Sequence, residues 1–124
     1  MSRAALYTLV TEATQIPWYE GNSTDTPSLG GGMFGILQYE DTVKDVRPLE
    51  LVTLWVHDTP GTYDRIREKL DAVENVLNGS VHVVGSDGWT MTCADWRGRS
   101  PDLYDDGYKT VTKNTAYTIL ARRS

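Results

Sequence analysis

The chain has 124 residues, which is the size of one domain and is long enough to bury a core without covalent cross-links. Its 17 acidic and 12 basic residues give a formal net charge of −5, which argues against a protein that grips nucleic-acid phosphates or an anionic membrane. Cys93 is the single cysteine, so no disulfide bond can form within the chain. No apolar run is long enough to span a membrane, and polar residues interrupt the first 15 positions, so we expect no signal peptide.

The first third of the chain predicts one helix, a short extended segment and a long loop. Ser2 can cap a helix over residues 2–15, in which Leu6 and Val10 belong to an apolar stripe. Trp18 then leads into an extended segment. Residues 20–32 hold four glycines and almost no apolar side chain, which predicts a mobile loop, either a flexible arm or one that orders against a partner.

Two strands follow in the predicted order. Residues 33–40 form the first, in which Gly35 marks a bulge or the close approach of another backbone. A polar connection over residues 41–48 leads to the second, residues 51–56, which has apolar side chains on both faces. That pattern predicts a central strand covered on both sides.

The stretch after the central strand predicts a long amphipathic helix. Asp58 or Thr59 can cap it, and Pro60 suits the first helical position because no N–H is needed there. Apolar residues at helical spacing continue to Asn78-Gly79, where the glycine permits the left-handed conformation that ends helices.

The last third of the chain predicts three strands. Residues 80–84 and 89–93 form a hairpin, residues 97–108 form a loop, and residues 109–122 form a long last strand that is polar at its start and more buried near its end. The order α-β-β-α-β-β-β predicts a single α+β domain over residues 1–124. It has a mostly antiparallel sheet of about five strands, an N-terminal helix and one long central helix.

Two groups of polar residues are candidates for a chemical site. His57 beside Asp58 could act as an oriented base, but no nucleophile stands at a recognisable spacing, so we expect this pair to end the strand and cap the helix. Asp102, Asp105 and Asp106 crowd one segment without the spacing of a calcium loop, which favours a solvated turn. We therefore predict no catalytic residue, no metal and no cofactor; a small enzyme using His57 and Asp58 remains the alternative from another class.

Three motifs in residues 50–120 resemble the tail terminator family, also called tail completion or minor tail proteins, of long-tailed phages of actinobacteria. The first is Val56-His57-Asp58 followed by Gly61-Thr62-Tyr63. The second is Trp96-Arg97-Gly98-Arg99-Ser100-Pro101-Asp102-Leu103. The third is Tyr104-Asp105-Asp106-Gly107-Tyr108 before the last strand.

The resemblance implies a structural protein of the virion without catalysis. Such a protein forms a ring, of six subunits, at the head-proximal end of the tail. The ring stops polymerisation of the tail tube protein and joins the tube to the head–tail connector protein. DNA would pass through the lumen without specific binding, no membrane would be involved, and the chain would be made in the host cytoplasm. A head–tail connector, or neck protein, is the structural alternative.

The resemblance also implies contact surfaces between subunits and with the tube. We expect them in the polar segments 20–32, 41–47 and 97–108, and we expect large amphipathic aromatics at the last segment to be anchors because such side chains concentrate binding energy. The predicted anchors are Trp96, Tyr104 and Tyr108. The further interface candidates are Arg97, Arg99, Asp102, Asp105, Asp106, Asp25, Leu29 and Met33.

Overall fold

The structure is a computed structural model that describes residues 3–20, 32–41 and 49–123. Two helices and seven strands follow one another in the order α-β-β-β-α-β-β-β-β. Their bounds are α1 Arg3–Thr14, β1 Trp18–Glu20, β2 Phe34–Asp41, β3 Leu49–Asp58, α2 Asp64–Val76, β4 Gly79–Val84, β5 Trp89–Arg99, β6 Leu103–Asp105 and β7 Thr110–Arg123.

All seven strands belong to one sheet, which curls into a half-barrel. The strand order is β1-β2-β3-β7-β5-β4, and β6 pairs with the first residues of β7 beside the end of β5. Every pairing is antiparallel except that of β1 with β2, which is parallel. The long strand β7 therefore lies in the middle of the sheet, with β3 on one side of it and β5 and β6 on the other.

The two faces of the sheet differ because side chains alternate along each strand. Val52, Leu54 and Val56 of β3 are fully buried in one core with both helices, and we call this side the helix face. The other side, the open face, carries Thr53 and Trp55, which are only half-buried. Within the described ranges, no helix packs on the open face. The main side chains that the helices add to the core are Leu6, Val10, Ile66, Leu70 and Val73.

The predicted α+β class with about five strands and one long central helix is wrong. The fold is β-rich, with seven strands and two short helices. The two strands absent from the predicted order, β1 and β6, have three residues each, which is too short for an alternating pattern to be visible in the sequence. Strand β1 lies in the segment that was predicted only as extended.

The central helix is shorter than predicted because β3 runs on through Asp58. Helix α2 begins at Asp64, so neither Asp58 nor Thr59 caps it and Pro60 precedes it. The hydroxyl of Thr62 accepts a hydrogen bond from the Asp64 N–H at 3.1 Å, which satisfies one free donor of the first turn.

Further predictions differ from the structure or fall outside the residues that it describes. The predicted loop 97–108 contains the end of β5 and all of β6. The start of β7 is polar as predicted, but it is as buried as the rest of the strand, with Thr110, Thr112 and Lys113 all buried. Gly35 lies in a regular ladder without a bulge, and the group close to it is the indole of Trp18 rather than a backbone. The expected loop at 20–32 falls almost wholly outside the described residues, as does most of the 41–48 connection. Among the described residues, no helix is long and apolar enough to cross a membrane.

Candidate functional site

The interface residues predicted near the glycine-rich segment fall in two places. Asp25 and Leu29 lie outside the described residues. Met33 is buried, with 5% of its surface exposed, and packs in the core between the helices and the sheet. In this conformation Met33 does not present a surface to a partner.

Arg99 fastens the end of β5 to helix α2. Its guanidinium donates to Glu74 through Nε at 2.8 Å and through Nη2 at 2.6 Å, and Nη2 also donates to Asp71 at 2.8 Å. Partial burial alone would lower the pKa of Arg99, but the hydrogen bonds to the two carboxylates outweigh it and raise the pKa. Arg99 was predicted as an interface residue; the contacts that the structure shows for it lie within its own chain, and the interface role stays a prediction.

Asp102 has a similar internal role beside the start of β6. Its Oδ1 accepts a hydrogen bond from Lys113 Nζ at 2.9 Å, and its Oδ2 accepts one from Arg67 Nη2 at 3.0 Å. The hydrogen bond from Lys113, together with the positive charge of Arg67, lowers the pKa of the Asp102 carboxyl. Tyr63 adds a further link, because its hydroxyl donates to the Leu103 carbonyl at 2.8 Å. Residues 99–103 are thus held to the helix α2 region by side-chain bonds.

The remaining candidates of this segment are accessible. Trp96 and Tyr104 are 56% and 54% exposed, and Arg97 and Asp106 also lie at the surface. The indole N–H of Trp96 donates to the hydroxyl of Thr115 at 3.0 Å, which fixes the ring while leaving it open to contact. A fixed, exposed aromatic side chain is a good binding anchor because little rotamer entropy is lost when a partner docks.

Tyr108 belongs to an aromatic cluster on the open face that the sequence did not predict. The ring of His57 stacks on Phe34 at 4.8 Å between centroids, and Tyr108 meets both rings edge-on at 5.2 and 5.3 Å. Trp55 and Tyr19 flank the cluster. The strand pairing places Phe34 directly opposite His57, so only the register could have identified this contact in advance.

His57 and Asp58 do not form the pair that an oriented base requires. As consecutive strand residues they lie on opposite faces of the sheet. Nδ1 of His57 is 2.8 Å from the hydroxyl of Thr110, whereas Oδ1 of Asp58 accepts from the Thr59 N–H and Oδ2 lies 3.6 Å from Nε of Arg65. Burial lowers the pKa of His57, although the charge of Asp105 opposes the effect.

A groove of about 480 Å³ follows strand β2 next to this cluster, and we call it the edge groove. Four consecutive residues of β2 line it, from Ile36 to Tyr39. The other lining residues are Arg3, Trp55, His57, Asp105 and Tyr108. Its mixed aromatic and polar walls suit an extended protein segment better than a compact charged ligand. Within residues 3–20, 32–41 and 49–123, no group of three His, Cys, Asp or Glu side chains could hold a metal ion.

No family model matches the chain, and no curated protein matches it either. Among the solved structures that match the chain are two that are similar along almost their whole length. One is named only by a sequence identifier; it is 14% identical in sequence and has a TM-score of 0.67. The matched region spans 98% of this chain and 94% of that chain. The other is a chain from the virion of a native gene transfer agent particle, with 12% identity, a TM-score of 0.65, and coverage of 95% and 92%. At these identities the similarity establishes a shared fold.

Proposed function

We propose that the chain is a structural protein of a phage-like virion. The observation that supports this most is the similarity to a chain of the gene transfer agent virion, which extends over 95% of this chain and 92% of the other. A match over nearly the whole of both chains means that the two share one complete folding unit rather than a common motif. A virion component built from one such unit acts through its surfaces, and the exposed, fixed aromatic Trp96 fits that use.

Within that class we propose the role of tail terminator. The motifs in residues 50–120 support this choice, because they resemble that family in the segment that holds Trp96 and Tyr104. The chain would close into a ring, of six subunits, on the finished tail tube at the head-proximal end. The ring would stop addition of the tube protein and offer its other axial face to the head–tail connector. Two different axial faces require a head-to-tail contact between identical subunits.

The test is the length of tails made without the chain. A stop codon early in the gene, with the intact gene supplied in trans as the control, would be examined by electron microscopy of the resulting particles. We expect over-long tubes of variable length without the chain, and normal tails once it is restored. Tails of normal length with unattached heads would instead assign the chain to the head–tail connector. Intact infectious particles would contradict a structural role altogether.

A further inference from the structure

The two ends of the sheet differ in what they leave unpaired. At one end, β1 pairs only with Gly35, Ile36 and Leu37, although β2 continues to Asp41. At the other end lies β4, which pairs with β5 on one side. Within the part of the chain that the structure describes, no strand pairs with β2 after Leu37 or with the outer edge of β4. Open strand edges are templates for pairing with another chain.

Residues 38–41 of β2 pair with no described residue on the β1 side, and we call them the free half of β2; their backbone groups are aimed outward. The N–H of Gly35 donates to the carbonyl of Pro17 across the β1 edge at 2.8 Å. Because alternate residues of a strand direct their N–H and C=O groups to the same edge, those of Tyr39 and Asp41 face that same side. The edge groove includes Gln38 and Tyr39 of this part of the strand, so an incoming segment would find both hydrogen-bonding groups and aromatic walls there.

Strand β4 presents exposed side chains that could contact the edge groove of another copy. Val83 packs against the core, so its neighbours His82 and Val84 point to the open face, and both are exposed. Val84 is 64% exposed, which is unusual for a β-branched apolar residue in a strand. Trp55, which lines the edge groove, points to the same face of the sheet.

The direction of the strands allows the two ends to meet. Three strands separate β2 from β4 in the sheet, and every pairing between them is antiparallel, so β2 and β4 run in the same direction. Rotation about a ring axis preserves the sense of a strand along that axis, so β4 of one copy would meet β2 of the next as a parallel neighbour. The parallel pairing of β1 with the first half of β2 already has that sense.

Charge also differs between the two ends. Glu40 is exposed at the β2 end, where Glu20 is compensated by Arg3 at 4.0 Å, a residue that also lines the edge groove. Arg122 and Arg123 are exposed beside the β4 end, where they lie opposite Thr90 and Trp89 of the neighbouring strand. Opposite charges at the two ends favour a head-to-tail contact over contact between like ends.

We propose that β4 of one copy adds to the free half of β2 of the next copy as a parallel strand, with Val84 entering the edge groove. The partner at this edge is thus a second copy of the chain. The inference rests on the proposed function, since a ring needs a contact of this heterologous kind, and it names the two surfaces that meet. Main-chain hydrogen bonds would supply affinity, and Val84 in its groove would set the register.

The test is disulfide trapping in assembled particles. In a Cys93→Ser background, Gln38→Cys or Glu40→Cys is combined with His82→Cys or Val84→Cys, which gives four pairs on the open face. Two cysteines can form a disulfide bond when their Cβ atoms come within roughly 4 Å. The four pairs therefore sample different alignments of β4 along β2. Particles are purified from cells in which each variant replaces the natural chain, oxidised, and analysed on non-reducing gels.

We expect at least one pair to give a ladder of linked copies. Each single cysteine, and Val84→Cys combined with Glu68→Cys on the exposed side of α2, should give none. A variant at an edge position that fails to enter particles, while Glu68→Cys enters, would agree with a contact at that edge. Particles that contain all the paired variants yet show no more linkage than the controls would overturn the edge pairing and leave the proposed function intact.

Dimers formed by a single edge cysteine would also overturn the inference, since they indicate a symmetric contact. Infectious particles that lack the chain altogether would contradict the proposed function itself.

Discussion

Burial of His57 among aromatic rings makes the stability of the fold depend on pH. The side chain is 2% exposed, and burial lowers its folded-state pKa below the ordinary value near 6.5. The unfolded chain therefore binds the proton more readily than the folded chain does. Stability is complete above the unfolded-state pKa and is lost as the pH falls toward the folded-state pKa, by at most about 1.4 kcal/mol per pH unit for one proton.

The His57 effect can be measured by urea unfolding between about pH 8 and pH 5, a range that brackets the ordinary histidine pKa. His57→Gln retains a polar group near Thr110 but cannot titrate. Below pH 6.5 its free energy of unfolding should therefore decrease much less than that of the natural chain. The matched control is His82→Gln, at the exposed second histidine, which should keep the dependence of the natural chain. An unchanged pH dependence in His57→Gln would contradict this assignment.

Gly35 is a second position where one atom matters. A Cβ added there would overlap the indole ring of Trp18, which is buried and held by a hydrogen bond from its Nε1 to Thr14 at 2.9 Å. We expect Gly35→Ala to lower the free energy of unfolding by about 1–3 kcal/mol, the usual cost of overpacking. In a Trp18→Leu background, where the ring is absent, the same substitution should cost clearly less. Equal costs in the two backgrounds would show that the ring is not the cause.

At the scale of elements, Arg99 is the main side-chain link between β5 and α2. It is 22% exposed and bonds to Glu74, which is 27% exposed. Removing it leaves a half-buried carboxylate without its partner, so Arg99→Ala should lower the free energy of unfolding by about 1–3 kcal/mol. Arg97→Ala is the matched control in the same strand; its exposed side chain should contribute within about 0.5 kcal/mol. Equal effects in the two variants, measured by urea unfolding, would refute a structural role for Arg99.

The elements that could be predicted from the sequence are those with long patterns. The helical stripe of Ile66, Leu70 and Val73 predicts α2, and the apolar run with side chains on both faces in residues 51–56 predicts β3. Their ends could not be predicted in the same way. Asp58 is a residue type that often caps helices, yet β3 continues through it because it pairs with Val111 of β7. Pairing between the strands outweighs the local preference of Asp58 for a helix cap, and this pairing cannot be read from the local sequence.

The candidate surface shows the same division between local pattern and long-range contact. Trp96 and Tyr104 were predicted as anchors from residue type, and they are exposed. Arg99 and Asp102 were grouped with them, but each bonds to residues 11–35 positions away, which no local pattern encodes. The aromatic cluster around His57 was missed for a related reason, since it depends on the register of β2 against β3.

At the scale of the whole molecule, exposed aromatics should act in assembly rather than in folding. Tyr104 is 54% exposed on β6, and Tyr7 is 45% exposed on α1, so the two offer a matched pair of the same residue type. Tyr104→Ser and Tyr7→Ser should each change the free energy of unfolding of the free chain by no more than about 0.5 kcal/mol. If Tyr104 is an anchor of the ring, its loss should weaken association by about 2 kcal/mol, or roughly 30-fold.

The measurement of the Tyr104 effect is the concentration of added chain that halves the number of over-long tubes made in its absence. Tyr104→Ser should require a much higher concentration than the natural chain, whereas Tyr7→Ser should require a similar one. Because both variants lose the same ring, a difference between them reports where the contact lies rather than a general loss of apolar surface. Equal activity of all three chains would exclude Tyr104 as an anchor, and equal impairment of both variants would place the contact more broadly than residues 97–108.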